Sequence, residues 1–242
     1  MADAATAIPA LRRALAPGAE EKALARLAKD PQINRQLDQF AKAVAKATDL
    51  KAALRDPRVL NVLLPALGLP DAVGQVGLAV RALTEDPTDP KGLLAKLPDK
   101  RWKDAAQTLN LKERGLEALR DPKMQAVLAD GLRRLSWQKE LDADHPGISD
   151  AMLFEQRAAS VKSAYELLSD PVLRRVITGA LGLPQEIAIQ PVETQARAIT
   201  SRLDLSKLQN PREVAKLAER YVVAAAGTGT GGPASPLLAL LA

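Results

Sequence analysis

The chain has no cysteine and only one histidine. Disulfides, thiolate metal ligands, a cysteine nucleophile and paired histidine ligands are therefore all excluded. Aromatic residues are scarce too: Phe40, Trp102, Trp137, Phe154, Tyr165 and Tyr221 account for 2% of the 242 residues. A core must then be built from Leu, Val, Ile and Ala. That mixture suits close-packed helices, whereas sheets lean on aromatic and β-branched side chains. Long apolar runs are also missing. Nothing approaches the roughly 18 residues of a membrane-crossing helix, and no apolar stretch of the kind a secretory leader needs follows Arg12-Arg13. Charge of one sign does not dominate either: 34 basic and 29 acidic residues leave +5, with the signs interspersed, as in Asp99-Lys100-Arg101-Trp102-Lys103-Asp104. A dedicated nucleic-acid face would need a clustered basic stripe.

What the sequence does have is helical spacing. Ile33, Leu37, Phe40 and Val44 recur at steps of four, three and four. So do Phe154, Ala158, Val161 and Tyr165 with Leu168 after them, and Val192, Ala196, Ile199 and Leu203. Each set lines one side of a 3.6-residue helix. Ile187 to Gln190 is too short to count as a strand. The expected fold is all-α, a multi-helix bundle built from two related helical halves and ending in a Gly/Pro-rich tail.

The relation between halves rests on a repeat. Asp56-Pro57 through Pro70 aligns without a gap on Asp170-Pro171 through Pro184, an offset of 114, with eight of 15 positions identical. Partial copies begin at Asp121-Pro122 and Asp30-Pro31. The chemistry is that of a capped helix. Aspartate accepts bonds from the free amides of a helix start, and proline fits the first helical position, where an N–H would have no partner. Gly68 and Gly182 can take the left-handed conformation after the helix, and Pro70 and Pro184 stop it resuming. Asp56, Pro57, Gly68, Asp170, Pro171 and Gly182 are thus structural caps, and Pro65 should kink the first copy or end it early. The expected organisation is a partly flexible N-terminal segment over 1–24, a first helical half over 25–141, a second over 142–226 and a tail over 227–242. A long helix from about Ser149 to Ser169 is expected at the seam.

The tail pairs a flexible Gly/Thr/Pro linker with an apolar end, in which Leu237, Leu238, Leu240 and Leu241 are candidate partner-docking residues. The end can fold back on its own core, or it can enter a groove on a partner or a second subunit.

A search for reactive chemistry finds none. His145, in His145-Pro146-Gly147, reads as a solvent-facing turn residue, because a metal site needs several ligands at fixed spacing. No serine stands in a Gly-x-Ser-x-Gly turn. The tract Gly227 to Gly232 lacks the Gly-Lys-Ser/Thr ending of a phosphate loop. Glu85-Asp86-Pro87-Thr88-Asp89-Pro90 does not match a calcium loop and reads as a turn with an N-cap. Trp102 shares a face with Ala105, Ala106 and Leu109 and reads as core. No catalytic, cofactor-binding or metal-ligating residue is assigned, and no cofactor is expected.

Five segments occur here in one order: Asp56 to Pro70, Asp99 to Leu111, His145 to Phe154, Ser169 to Pro184 and Leu205 to Pro211. Together they resemble an alphaproteobacterial family, domain of unknown function 1217, often found beside flagellar genes. The likeness covers roughly residues 25 to 222. Ala106 and Leu109 stand where larger rings are expected, so an aromatic contact surface does not carry over. The resemblance implies a bacterial protein connected with flagellar assembly or function, located in the cytoplasm or exported by the flagellar apparatus. The resulting expectation is a non-enzymatic helical interaction or assembly protein with protein partners, flagellar components among them, and homo-oligomerisation through the tail. The alternative is a basic helical nucleic-acid binder using Arg133-Arg134 and Arg174-Arg175.

Overall fold

A computed structural model describes the chain from residue 4 to residue 228. The helices in order are α1 (Ala4–Ala14), α2 (Ala19–Leu27), α3 (Pro31–Lys46), α4 (Leu50–Ala53), α5 (Pro57–Ala66), α6 (Val76–Thr84), α7 (Leu93–Lys96) and α8 (Arg101–Leu109). There follow α9 (Leu111–Arg114), α10 (Glu117–Arg120), α11 (Pro122–Asp144), α12 (Ile148–Arg157), α13 (Ala164–Ser169), α14 (Pro171–Ala180), α15 (Val192–Thr200) and α16 (Pro211–Thr228). Four 3₁₀ turns join them, at Pro70–Ala72, Ala158–Ser160, Gln185–Ile189 and Leu205–Gln209. The fold is all-α: no strand occurs among the described residues. None of the described helices is long and apolar enough to cross a membrane. The candidate docking residues Leu237, Leu238, Leu240 and Leu241 lie outside the described residues. Helix α16 runs through Gly227 and Thr228, the first two residues of the expected tail.

The contacts divide the chain into two compact units, one of Glu21–Trp137 and one joining the residues up to Glu20 with those from Gln138 onward. In the first unit α3 packs on α5, and α6 packs on α7, α8 and α9. Its core holds Phe40, Leu60, Leu63, Leu64, Leu83 and Leu109. In the second unit α16 packs against α1, α12 and α14, around Leu11, Phe154, Ile177 and Val222. Within the segment 1–24, helix α1 packs on α12 and α16. Ala7, Ala10, Leu11 and Ala14 fall at i, i+3, i+4 and i+7 and are buried, and Arg12 donates to Glu219 at 2.7 Å.

Both full Asp-Pro segments have one local geometry. Asp56 accepts from the Arg58 amide at 2.8 Å, Asp170 from the Val172 amide at 2.8 Å, and Pro57 and Pro171 open ten-residue helices. Gly68 and Gly182 follow with φ of 78° and 61°. Pro65 does not shorten its helix relative to the copy carrying Gly179, because it stands next to the last helical residue, where little ladder remains to be lost. Pro31, Pro122 and Pro211 open helices in the same manner.

The expected long helix over 149–169 is instead broken. Helix α12 ends at Arg157, and α13 starts at Ala164. Ser163 accepts from the Glu166 amide at 3.2 Å, while the Glu166 carboxylate reaches back to the Lys162 amide at 2.8 Å. This reciprocal capping restarts the helix. It leaves Tyr165 55% exposed, while Phe154, Ala158, Val161 and Leu168 remain buried.

Candidate functional site

Helix α6 is apolar nearly all round, since Arg81 is its only charged residue. One face, Ala79, Ala82 and Leu83, is buried in the unit. On the other side Val76, Val80 and Thr84 form an i, i+4, i+8 row, with Gly77 and Arg81 beside it. Across from this row stands α4, whose first turn is held by Asp49 accepting from the Ala52 amide at 2.8 Å. Leu50, Lys51 and Arg55 complete an open groove of about 520 Å³ between the two helices.

Its chemistry is amphipathic. Leu50, Val76 and Val80 supply apolar wall, with Val76 37% exposed. Lys51, Arg55 and Arg81 supply three cations, and no carboxylate lines the groove. Among the described residues none of these three forms an ion pair, although Lys51 lies close enough to help hold the Asp49 carboxyl below its ordinary range, behind the Ala52 amide bond. The Thr84 hydroxyl donates to its own helix at the Val80 carbonyl, 2.7 Å away, and is not a free donor toward a ligand. No heavy atom lies within 4 Å of where a Cβ on Gly77 would stand, which leaves room for another backbone to approach.

A second cluster is buried in the other unit. Asp150 Oδ2 accepts from the Tyr221 hydroxyl and from Arg175 Nη1, each at 2.9 Å. Asp142 accepts from the Ser149 amide at 2.9 Å and from its hydroxyl. Burial pushes the Asp150 carboxyl above its usual value, against the opposing charge of Arg175 and the Tyr221 bond. Burial, then the charge of Asp150, pushes the Tyr221 phenol up as well. The ring of Tyr221 fits between two glycines: a Cβ on Gly147 would stand 2.9 Å from Cε1, and one on Gly179 2.8 Å from Cδ2. These groups satisfy one another and fasten α16 to α12 and α14.

The remaining residues singled out by sequence fall as follows. His145 is half-buried rather than solvent-facing, and its Nδ1 is buried without a hydrogen-bond partner. Glu85 caps α7, its two oxygens accepting from the Leu93 and Leu94 amides at 2.7 Å each, and Asp86 accepts from Thr88. Trp102 is buried with Ala105, Ala106 and Leu109. Arg101, one residue earlier, donates to Asp99, Asp71 and the Gly68 carbonyl, the last at 2.7 Å, tying the end of α5 to the start of α8. Of the arginine pairs, Arg133 is engaged by Asp130 and Arg175 by Asp150. Among the described residues no group of three or more His, Asp or Glu side chains could hold a metal ion. The groove was not found from sequence. The signal that could have found it is the near-uniform apolarity of Val76–Thr84, since a helix without a polar face requires cover on both sides.

Residues 66–214, more than half of the chain, match the model of a family described as "Protein of unknown function (DUF1217)". The fold is similar to the crystal structure of protein AGR_C_984 from Agrobacterium tumefaciens, with a TM-score of 0.70 and 25% identity over 89% of this chain and 91% of that one. No curated protein matches the sequence.

Proposed function

The chain belongs to the DUF1217 family, and from that premise we propose that it is a non-enzymatic interaction protein whose α4–α6 groove receives an apolar segment flanked by carboxylates from a protein partner. One observation carries this reading: an apolar row and three cations without ion-pair partners line the same groove, without a carboxylate among them. The apolar wall rewards side chains that leave water, and the cations orient and select the segment. The displaced titratable groups elsewhere, Asp150 and Tyr221, spend their bonding capacity on each other and on Arg175, a structural use.

The test is a fluorescence titration with peptides of four to six apolar residues flanked by Glu or Asp, matched against scrambled and Lys-flanked controls. The acidic-flanked peptides should bind, weaken as salt rises, and lose about tenfold or more in affinity to Arg81→Glu and to Val80→Glu, as central interface positions do. Binding that is indifferent to both substitutions removes the reading.

We further propose that the physiological partners are flagellar components, met in the bacterial cytoplasm or on export, as the gene neighbourhood of the family implies. That support is associational. Deleting the gene in a flagellated host should reduce swimming, restored by the wild type and not by Val80→Glu; full motility in the deletion strain counts against it.

A further inference from the structure

The other compact unit carries a segment of the chemistry that the groove requires. Ile189 ends the 3₁₀ turn Gln185–Ile189 and is 81% exposed; Val192, at the start of α15, is 43% exposed. Glu186 and Glu193 flank them, and neither carboxylate has a hydrogen-bond or ion-pair partner among the described residues. No Lys or Arg occurs between Arg175 and Arg197, so the segment is uniformly acidic.

It is also held in one shape. Gln195 is buried and donates through Nε2 to the Gln190 carbonyl at 2.7 Å and the Ala188 carbonyl at 3.3 Å. Pro184 and Pro191 bracket the turn, and the Gln190 amide closes it on the Ile187 carbonyl at 3.1 Å. An exposed isoleucine on a pre-shaped acidic turn loses little freedom on docking. A buried glutamine maintaining an exposed apolar tip is an arrangement that stability alone does not call for, since a polar residue at 189 would satisfy the same backbone bonds.

We propose that the occupant of the groove is this segment from a second copy of the chain, with Ile189 and Val192 against Leu50, Val76 and Val80, and Glu186 and Glu193 toward Lys51, Arg55 and Arg81. The proposal rests on the reading of the groove as a docking surface. Knob and groove are two different patches that fit each other, so the contact either closes as a reciprocal pair or continues head-to-tail into a ring or an open filament. Neither half of the contact involves the apolar C-terminal end.

Sedimentation velocity of the full chain tests it. The wild type should associate progressively with concentration, less so at high salt. Ile189→Asp and Arg81→Glu should each weaken association by about tenfold or more. Both positions are exposed, and thermal melting of each variant checks that the fold is kept. Mixed together, these two variants should form a species no larger than a dimer, because one retains only a good groove and the other only a good knob. Combining Arg81→Glu with Glu193→Arg in one chain should restore part of the association. A wild type that stays monomeric at high concentration overturns the proposal, as does association untouched by either substitution. If the wild type stays monomeric while acidic-flanked peptides still bind in a manner sensitive to Arg81→Glu, self-association is refuted and the docking reading stands.

Discussion

Substituting Gly131 with alanine opposes two effects of known size. Gly131 lies inside the 23-residue helix α11, where alanine is favoured over glycine by about 1 kcal/mol through helix propensity. A Cβ placed there, however, would stand 2.2 Å from the carbonyl oxygen of Ala66 and 2.9 Å from its carbonyl carbon. These are backbone atoms at the end of α5 and cannot rotate away. Relief requires α5 and α11 to separate by roughly 1 Å, which loosens contacts along both; overpacking of this kind costs about 1–3 kcal/mol. The steric term should win, so Gly131→Ala is expected to destabilise by about 1–2 kcal/mol, a fall in Tm of several degrees at about 2–4 °C per kcal/mol. Gly77 in α6, where no heavy atom lies within 4 Å of the added Cβ, is the control: Gly77→Ala should be neutral or stabilise by up to about 1 kcal/mol. Thermal melts followed by circular dichroism would read both. A Gly131→Ala variant that gains as much stability as Gly77→Ala would refute the close approach of the two backbones.

Three other outcomes follow from the same geometry. Gly68→Ala and Gly182→Ala meet open space but must hold φ of 78° and 61°. Each should therefore cost about 1–2 kcal/mol in denaturant titrations from backbone strain alone. Asp150 has a pKa raised by burial above its ordinary 3.8, so its protonation favours the folded state. That contribution is complete below about 3.8 and is lost as pH rises through the raised value. Asp150→Asn should then gain relative to the wild type between pH 4 and 7 in melts; the greatest loss at neutral pH would show instead that the Arg175 pair dominates. Tyr221→Phe removes a hydrogen bond to a buried carboxylate and should cost about 1–3 kcal/mol.

The parts of the fold legible in sequence are those whose cause is local. An Asp-Pro pair starts a helix at Pro31, Pro57, Pro122 and Pro171 because carboxylate, ring and free amides lie within three residues of one another. Gly68 and Gly182 stop helices for an equally local reason. The break before Ala164 was legible too, in the Ser163-x-x-Glu166 pattern. The apolar spacing from Phe154 to Leu168 does not tell one helix from two, since Phe154, Ala158, Val161 and Leu168 are buried equally well by two shorter helices. The packing of α1 on α12 and α16 depends on contacts between residues some 200 positions apart, as in Arg12 with Glu219, and nothing near Ala4–Ala14 announces it. The groove is tertiary in the same sense: Lys51 comes from α4, Arg55 from the turn after it and Arg81 from α6, and only folding brings them to one groove. Ile189 is a third kind of case. The turn that exposes it is set by Gln195 reaching back to Gln190, a bond that spacing rules do not anticipate.

The most direct measurement replaces Val80 with a photoreactive phenylalanine analogue, irradiates the full-length protein in its native host and maps the cross-linked adduct by mass spectrometry. The adduct should fall on an apolar segment flanked by carboxylates, carried by a protein partner, and, where the occupant is a second copy, on its Gln185–Thr194 stretch. The adduct should be reduced by Arg81→Glu. An adduct pattern without a defined protein segment, or one unaffected by the loss of the groove cation, would contradict the docking reading.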